Sequence, residues 1–447
     1  MSKGIPDPAR EDFRVLQRLR NGKPPVYFDN ACTTLVPKQV VDEITEYYTQ
    51  RPACGERRSR YWFAKEVTTR IEGETGKKAK GSRQEIRDFI GAESDGEIIF
   101  TSNASHAINT VALGFRFQPG DRVLLTDREH NSNLIPWLRL QRKIPIEVDV
   151  VESKPDHTFD LERLKSKLEN GKVRLVSMGY TSNLTGYTLP AESIIKIAHR
   201  LGARVLLDAA QTVPHRAVDV HELDVDFLAF SAHKMCGPKG VGILYAKKAL
   251  LGQGPQEEDE TGIIEPSIVG GGTIRDATYD SYTLLEPPER FETGIQNYPG
   301  QIGAGAAAEY LQEIGMDQIS AHERELNSYL TEQLLNRYGD KGWFRIIGPP
   351  EAAQRGGILT FEIKRPNCVG IAEELDERNN IMIRDGALCV HSFLNKAYGQ
   401  GWAGPRLQSE HRMLYRISLY FYNTKEECRI FLETLNAIFE QRGYTQN

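Results

Sequence analysis

Cysteine is scarce in this chain. The 447 residues contain six cysteines, scattered along the sequence with no C-x-x-C pair: Cys32, Cys54, Cys236, Cys368, Cys389 and Cys428. Disulfide frameworks and structural zinc sites need several cysteines at close, regular spacings. The sequence therefore predicts no metal site, and in a reducing compartment each cysteine is by default a small buried hydrophobic residue.

Long apolar runs and a strong excess of charge are also absent. No stretch approaches the roughly 18 apolar residues of a membrane-spanning helix, and the N-terminus, MSKGIPDPAREDFRVLQRLR, has no signal-peptide core. The net charge of −5 argues against general nucleic-acid binding. We therefore expect a cytoplasmic protein with no membrane and no nucleic-acid partner.

Short apolar runs alternating with amphipathic stretches dominate what is present. Six runs are predicted as buried strands: residues 97–100, 121–127, 146–152, 173–180, 203–210 and 225–232. Segments such as LERLKSKLEN (161–170) and AESIIKIAHRLG (191–202) between them have helical periodicity. The pattern predicts an α/β domain with a mostly parallel sheet.

The rest of the chain predicts further units. Residues 1–25 are interpreted as an N-terminal helical segment that packs with the small domain, and residues 26–299 as the large domain. The polar, glycine-rich region 251–290 is predicted to form surface loops. Residues 300–447, with strands at 357–363, 381–386 and 415–423 among helices, predict a smaller C-terminal α+β domain.

Polar residues follow the predicted strands. Ligands of open α/β sheets bind at the carboxyl ends of the strands. These ends carry an acid at Asp208, an amine at Lys234, an amide at Asn183 and an imidazole at His130. TSNASHAIN, after the strand 97–100, has small polar residues at a helix start, which is a typical anion site.

Together these groups suit pyridoxal 5'-phosphate (PLP). This cofactor needs a lysine for a Schiff base with its aldehyde, which Lys234 offers. It needs an acid beside its ring nitrogen, which Asp208 offers, and a phosphate cradle, which residues 103–109 offer. Taken singly, Lys234 could be a surface residue, Asp208 a helix cap and His130 a loop histidine. The combination favours the cofactor site.

Four sequence blocks carry a resemblance to a known family. FSAHKMCGPKGVGILY is similar to the Schiff-base lysine signature of the class V aminotransferases, and LLDAAQTVPH, REHNSNLIPW and SNLTG match other blocks in order. Within that family the chain most resembles cysteine desulfurases of the SufS/NifS type, from residue 26 to 424. The resemblance implies a fold type I PLP-dependent transferase with a seven-stranded-type sheet, acting as a homodimer.

The resemblance also implies roles for individual residues. Lys234 would bind the cofactor and move the Cα proton, with Asp208 on the ring nitrogen and Gln211 on the phenolic oxygen. His130 would stack on the ring and take part in acid–base transfer. Asn183 would support the substrate or the phenolic oxygen, and Arg416 would bind the substrate carboxylate. The phosphate would be held by the Ala104 backbone, Ser105, Ser231 and His233.

RDGALC resembles the desulfurase loop R-x-G-x-x-C, which implies that Cys389 takes sulfur from L-cysteine as a persulfide. Such a thiolate needs a loop that can move between the pocket and an acceptor, either a protein or a small thiol. A packed core cysteine is the alternative, but DGALC suits a loop better than a core strand. Cys54 is the other candidate sulfur carrier. The pathway served, such as iron–sulfur cluster assembly, leaves no mark in the sequence.

Several positions depart from the family pattern. Glu56 and Arg60 stand where histidines are common, and Ile295 stands where a threonine reaches the phosphate of the neighbouring subunit. The segment 395–412 is longer than in compact desulfurases and is interpreted as an extra segment over the site or a mobile one. A selenocysteine lyase, a C–S lyase, an aminotransferase or a non-catalytic scaffold are therefore the alternatives.

Overall fold

The structure is a computed structural model that describes residues 8–55, 58–74, 80–252, 262–399 and 411–444. Its α-helices are Pro8–Glu11, Lys38–Gln50, Trp62–Glu72, Ser82–Phe89, Ala104–Gly114, Asn131–Gln141, Leu161–Glu169, Ala191–Arg200, Val220–Leu223, Tyr298–Ile314, Met316–Tyr338, Ile371–Asn379, His391–Tyr398 and Lys425–Gln441. Its strands are Val26–Tyr27, Ile98–Thr101, Arg122–Thr126, Glu147–Val151, Val173–Gly179, Arg204–Asp208, Phe227–Ser231, Gly242–Ala246, Ile274–Ala277, Tyr282–Leu284, Phe344–Ile347, Ile358–Ile363, Ile381–Met382, Arg384–Asp385 and Met413–Ser418.

A seven-stranded sheet forms the centre of the larger part. From one edge of the sheet to the other, its strands begin at Ile98, Gly242, Phe227, Arg204, Val173, Arg122 and Glu147. Gly242–Ala246 is antiparallel to both of its neighbours, and the other pairs are parallel. The mostly parallel α/β sheet predicted from the sequence is confirmed. The reversed strand Gly242–Ala246 was not among the predicted strands, because its sequence, GILYA, follows a glycine-rich motif that is typical of a turn.

Successive residues of each strand face two different cores. Val205 and Leu207 lie in one apolar cluster, whereas Leu206 lies in the cluster on the opposite face. The same alternation separates Phe100 from Ile99. Side chains that point alternately up and down explain why the strands read as continuous apolar runs, because both faces are covered by helices. Because helices cover both faces, polar side chains lie at the carboxyl ends of the strands.

A second, antiparallel sheet forms in the C-terminal part. Its strands lie in the order Phe344–Ile347, Ile358–Ile363, Met413–Ser418, Arg384–Asp385. Helices Met316–Tyr338 and Lys425–Gln441 supply much of a separate apolar core against this sheet. This arrangement is the α+β organisation expected from the sequence.

Helix Tyr298–Ile314 packs against Lys38–Gln50 and Ser82–Phe89, beside the large sheet. The chain then turns at Gly315, whose φ of 94° lies in the region that favours glycine, into the long helix Met316–Tyr338. The predicted boundary between residues 299 and 300 therefore falls at the start of a helix, and it stays a prediction.

Two local expectations differ from the structure. The helix expected in AREDFRVLQRLR ends at Glu11 and is followed by a 3-10 turn, Arg14–Gln17, because Phe13 turns inward and is fully buried. The region 251–290 was expected to form loops, yet it contains the hairpin of Ile274–Ala277 and Tyr282–Leu284. β-Branched and aromatic residues at its ends favour these strands. Among the described helices, none is both long and apolar enough to cross a bilayer.

Candidate active site

A cavity of about 660 Å³ lies at the carboxyl ends of the parallel strands. Every site residue predicted from the sequence lines it: Ala104, Ser105, His130, Asn183, Asp208, Gln211, Ser231, His233, Lys234, Cys389 and Arg416. The first nine come from the large-sheet half of the chain, and Cys389 and Arg416 come from the C-terminal half. The two halves therefore share one cavity.

The start of helix Ala104–Gly114 forms one wall. Asn103 caps this helix, because its Oδ1 accepts a hydrogen bond from His106 N–H at 2.9 Å. Ala104 N–H donates to Ser231 Oγ at 2.8 Å. Gly242 makes this close approach possible, because a Cβ there would lie 2.4 Å from the Asn103 backbone. Ser105 donates to Ser132 Oγ at 2.6 Å. Hydroxyls gathered at a helix N-terminus suit an anionic group.

Asp208 and Lys234 face the cavity from neighbouring strands. Asp208 ends the strand Arg204–Asp208, and Ala210 N–H donates to its Oδ1 at 3.0 Å. Burial raises the pKa of Asp208 above its usual range, and Lys234 acts against this. Burial likewise lowers the pKa of Lys234, with Asp208 opposing the effect. The site therefore favours a neutral, nucleophilic amine, and a carboxyl group that a cationic partner would ionise.

His130 caps the helix Asn131–Gln141 and lies on the cavity wall. Its Nδ1 accepts a hydrogen bond from Ser132 N–H at 3.1 Å. The neutral ring therefore carries its proton on Nε2. Burial, reinforced by Lys234 and Arg416, lowers the pKa of His130 to about 3. Burial also lowers the pKa of His233, to about 4. Both imidazoles are therefore uncharged near neutral pH.

Four residues of the cavity lining have a buried polar atom that lacks a hydrogen-bond partner within the described ranges: Arg128 Nε, His157 Nδ1, Gln211 Oε1 and Arg416 Nε. The Nε2 of the same Gln211 side chain donates to Ala31 O at 2.7 Å. Buried polar groups without partners are rare in proteins. We interpret these atoms as positions that a bound polar ligand would satisfy.

Arg416 is held in the strand Met413–Ser418. Its Nη2 forms an ion pair with Asp29 Oδ1 at 3.0 Å, and its Nη1 donates to Asn183 O at 3.2 Å. Arg416 is 3% exposed, and burial lowers the pKa of its guanidinium while Asp29 opposes this. Its planar donors are arranged for a carboxylate.

Cys389 lies on a tight turn rather than a free loop. Leu388 and Cys389 have φ values of 50° and 60°, which are uncommon for residues other than glycine. Asn183 Nδ2 donates to Leu388 O at 2.7 Å, and Asn131 N–H donates to Cys389 O at 2.8 Å. Leu388 itself is buried in a small apolar cluster with Leu184. Residues of the large-sheet half therefore hold both carbonyls of the turn, and the thiol is half-buried at the cavity.

Glu129 is a residue that the sequence reasoning missed. Its buried carboxylate accepts hydrogen bonds from Thr126 N–H and Oγ1, Asn133 Nδ2 and Gly179 N–H. Burial raises its pKa to about 7, although these donors favour the ionised form. It links the ends of two neighbouring strands next to His130. Its position directly before His130 at a strand end was the signal available.

Asp29, Arg384 and Cys32 were also missed as site residues. Asp29 pairs with Arg416, and Arg384 Nη1 donates to Cys32 Sγ at 3.6 Å. Arg384 and Cys32 both line the cavity. These contacts join the N-terminal DNACTT stretch to the C-terminal half. No local pattern predicts a contact over such a distance in sequence.

The departures from the family pattern lie away from the cavity lining or outside the described residues. Glu56 and residues 400–410 of the 395–412 segment are outside the described residues. Arg60 is exposed, and Ile295 is 66% exposed. In the described part of this segment, helix His391–Tyr398 continues from the Cys389 turn, and Lys396 pairs with Glu152. Within the described part of the chain, no cluster of three or more His, Cys, Asp or Glu residues could hold a metal ion.

Proteins similar to this chain in sequence are named cysteine desulfurases. A probable cysteine desulfurase of Synechocystis sp. is 35% identical over 96% of this chain and 94% of its own. A probable cysteine desulfurase of Pyrococcus abyssi is 35% identical over 99% of this chain and 100% of its own.

Solved structures agree with this similarity. The apo structure of the cysteine desulfurase from Thermococcus onnurineus superposes with a TM-score of 0.85 at 32% identity, covering 98% of this chain and 99% of the other. The cysteine desulfurase CsdA from Escherichia coli, in an S-sulfonic acid form, gives 0.82 at 27% identity, covering 98% and 100%. The family model "Aminotransferase class-V" matches residues 26–431. This chain therefore belongs to the class V aminotransferase family.

Proposed function

We propose that this chain is a PLP-dependent cysteine desulfurase that converts L-cysteine to L-alanine and collects the sulfur on Cys389. The observation that carries the proposal is the position of Cys389, whose thiol lines the same cavity as Lys234, Asp208 and Arg416. The sequence relatives and the structures of similar fold named cysteine desulfurases support the reaction class.

The residues around the cavity fit the cofactor. Asp208 would hold the ring nitrogen, and Gln211, whose buried Oε1 has no hydrogen-bond partner among the described residues, would contact a polar ring substituent. Ala104 N–H, Ser105, Ser231 and His233 would hold the phosphate. When bound, PLP supplies an electron sink that stabilises negative charge at the substrate Cα.

The chain's own residues would perform the remaining steps. Arg416 binds the substrate carboxylate, because its guanidinium is held by Asp29 and Asn183 O with Nε still free. Lys234 Nζ takes the Cα proton, which its lowered pKa favours. His130, neutral with its proton on Nε2, would stack on the ring and exchange that proton.

Cys389 would then attack the substrate sulfur as a thiolate. The new bond joins the two sulfurs, the Cβ–S bond breaks, and its electron pair stays with the substrate carbon, which takes up a proton. The products are alanine and a Cys389 persulfide. A protein or small thiol would accept this sulfur, for uses such as iron–sulfur cluster assembly.

We further propose a homodimer in the cytoplasm. Supporting the dimer, two exposed apolar residues, Ile268 and Ile295, lie on touching segments, where Thr293 Oγ1 donates to Ile268 O at 2.7 Å. Supporting the compartment, all six cysteines are free thiols, as persulfide chemistry in a reducing compartment needs.

The variant Cys389→Ser tests the proposal. We expect it to keep the visible absorbance of bound PLP while alanine formation from L-cysteine falls at least about a hundredfold, since the nucleophile is gone. The matched control is Cys54→Ser, because Cys54 is half-buried like Cys389 but does not line the cavity.

Three outcomes would contradict the proposal. Alanine production retained in Cys389→Ser would reject this nucleophile, and a loss in Cys54→Ser instead would assign the role to Cys54. Purified wild-type protein that binds no PLP would favour the scaffold alternative. Parallel assays with selenocysteine and cystine show whether L-cysteine is the preferred substrate.

A further inference from the structure

Two thiols, not one, face the cavity. Among the described cysteines, Cys32 and Cys389 line it, and both are half-buried. Cys236, Cys368 and Cys428 are fully buried elsewhere, and burial raises the pKa of all three thiols. Cys54 does not contribute to the lining. Cys32 is therefore placed where sulfur chemistry occurs, whereas the other four cysteines are not.

Arg384 contacts the Cys32 thiol from the segment that carries Cys389. It lies five residues before Cys389, in a short strand that pairs in register with Arg416. Its guanidinium donates to Cys32 Sγ at 3.6 Å, and both residues line the cavity. The segment that carries Cys389 thus orients the Cys32 side chain and places a positive charge beside the Cys32 sulfur.

The backbone around Cys32 is fixed from both halves of the chain. Ala31 N–H donates to Ser418 Oγ at 2.9 Å, Gln211 Nε2 donates to Ala31 O at 2.7 Å, and Cys32 N–H donates to Asp29 O at 3.1 Å. The same Gln211 has a buried Oε1 without a hydrogen-bond partner among the described residues. Gln211 therefore fixes the residue before Cys32 and also offers an unsatisfied acceptor in the cavity that the Cys32 thiol lines.

We propose that Cys32 is a second sulfur-carrying thiol that receives sulfane sulfur from the Cys389 persulfide. The inference rests on the proposed function, because it needs that persulfide as its donor. It adds a transfer within the active-site cavity, before any external acceptor takes part.

The step balances without an oxidant. Cys32 thiolate attacks the outer sulfur of the Cys389 persulfide, and a sulfur–sulfur bond to Cys32 forms as the bond to Cys389 breaks. The electron pair leaves with the Cys389 sulfur, which takes up the proton that Cys32 released. The transferred sulfur keeps its oxidation state, and Cys389 is free for a second cysteine.

The experiment uses the full chain loaded with PLP and given L-cysteine without acceptor or reductant. After a short incubation the thiols and persulfides are alkylated, and peptide mass spectrometry locates the added sulfur, while the alanine formed per subunit is counted. For the wild type we expect sulfur on both Cys32 and Cys389 and two alanines per subunit. For Cys32→Ser we expect sulfur on Cys389 alone and one alanine, a twofold loss.

Each other outcome decides the question. Sulfur on Cys389 with an unmodified Cys32 in the wild type would overturn the transfer and leave the proposed function standing. A disulfide between Cys32 and Cys389 with sulfide release would also overturn it, because the attack would then occur on the inner sulfur. Absence of alanine and of sulfur on Cys389 would reject the proposed function and the inference together. Retained Cys389 loading shows that Cys32→Ser is folded.

Discussion

His130 shows how burial sets the charge of a site residue. Its ring combines a capping role, through Ser132 N–H, with a pKa of about 3. In the unfolded chain a histidine has a pKa of about 6.5. The folded state therefore binds fewer protons than the unfolded state between these values. By linkage, His130 lowers stability progressively as the pH falls below about 6.5.

The variant His130→Asn tests this at the residue scale. Asn keeps a cap acceptor and cannot titrate. We expect the decrease in unfolding free energy between pH 6.5 and pH 4.5 to become shallower by up to about 1.4 kcal/mol per pH unit. Urea unfolding of the apoprotein at several pH values measures the slope.

His199 supplies the control of opposite sign. Its hydrogen bond to Asp226 raises its pKa, so its contribution is present at low pH and fades as the pH rises through the folded value. His199→Asn should therefore make the protein more acid-sensitive. An unchanged slope in His130→Asn would contradict the assignment of a buried neutral ring.

At the scale of elements, the turn that carries Cys389 depends on contacts with other parts of the chain. The sequence indicated a loop from its glycine, and the structure adds why the loop has this shape. Two successive residues with positive φ cost free energy, which the surrounding contacts must supply. Asn183 contributes through Leu388 O, which would otherwise be an unpaired carbonyl beside a buried side chain.

Asn183→Ala should loosen this turn. Removing the donor leaves Leu388 O unsatisfied, at a cost of about 1–3 kcal/mol, and we expect faster amide hydrogen exchange in the peptide 384–394. Helix Lys425–Gln441, which lies in a different core, is the internal control and should exchange as in the wild type. Equal exchange of the 384–394 peptide in both proteins would show that other contacts hold the turn.

Elements that follow from local pattern were predictable, and those that need distant partners were not. The strand that ends at Asp208 could be predicted from its apolar run and from the acid at its end. The strand Gly242–Ala246 and its reversed direction could not be predicted in this way, because the direction depends on pairing with Ile98–Thr101. Likewise the ion pair of Asp29 with Arg416 joins residues from opposite ends of the chain. Such contacts arise only when both sheets are in place.

At the scale of the whole molecule, the N-terminal segment joins the two halves. Phe13 packs against Tyr310 of the helix beside the large sheet and against Tyr422 near the C-terminal helix, with ring centroids 6.3 and 4.5 Å apart. Arg10 pairs with Glu427 at 2.7 Å, and Arg20 pairs with Asp376 at 2.7 Å. The segment therefore contacts elements of both halves of the chain, and its assignment to the small domain stays a prediction.

Phe13→Ala should destabilise the folded chain as a whole. Loss of a fully buried ring from this junction costs about 3–5 kcal/mol. Chemical denaturation of the apoprotein measures the change, with Leu19→Ala as control, because Leu19 is 63% exposed and should shift stability by no more than about 0.5 kcal/mol. Equal effects of the two substitutions would mean that the junction contributes nothing to stability.

The pairing of Arg384 with Arg416 restricts how this chain can vary in length. Side chains on a strand alternate in direction, so a slip of one residue would exchange Arg384 for Asp385 opposite Arg416 and present a carboxylate to Cys32. It would also displace the thiol at Cys389 along the cavity. Insertions and deletions that surface loops usually tolerate should therefore be eliminated by selection between residues 384 and 389. The spacing of this segment is as much a requirement of the site as the identity of its cysteine.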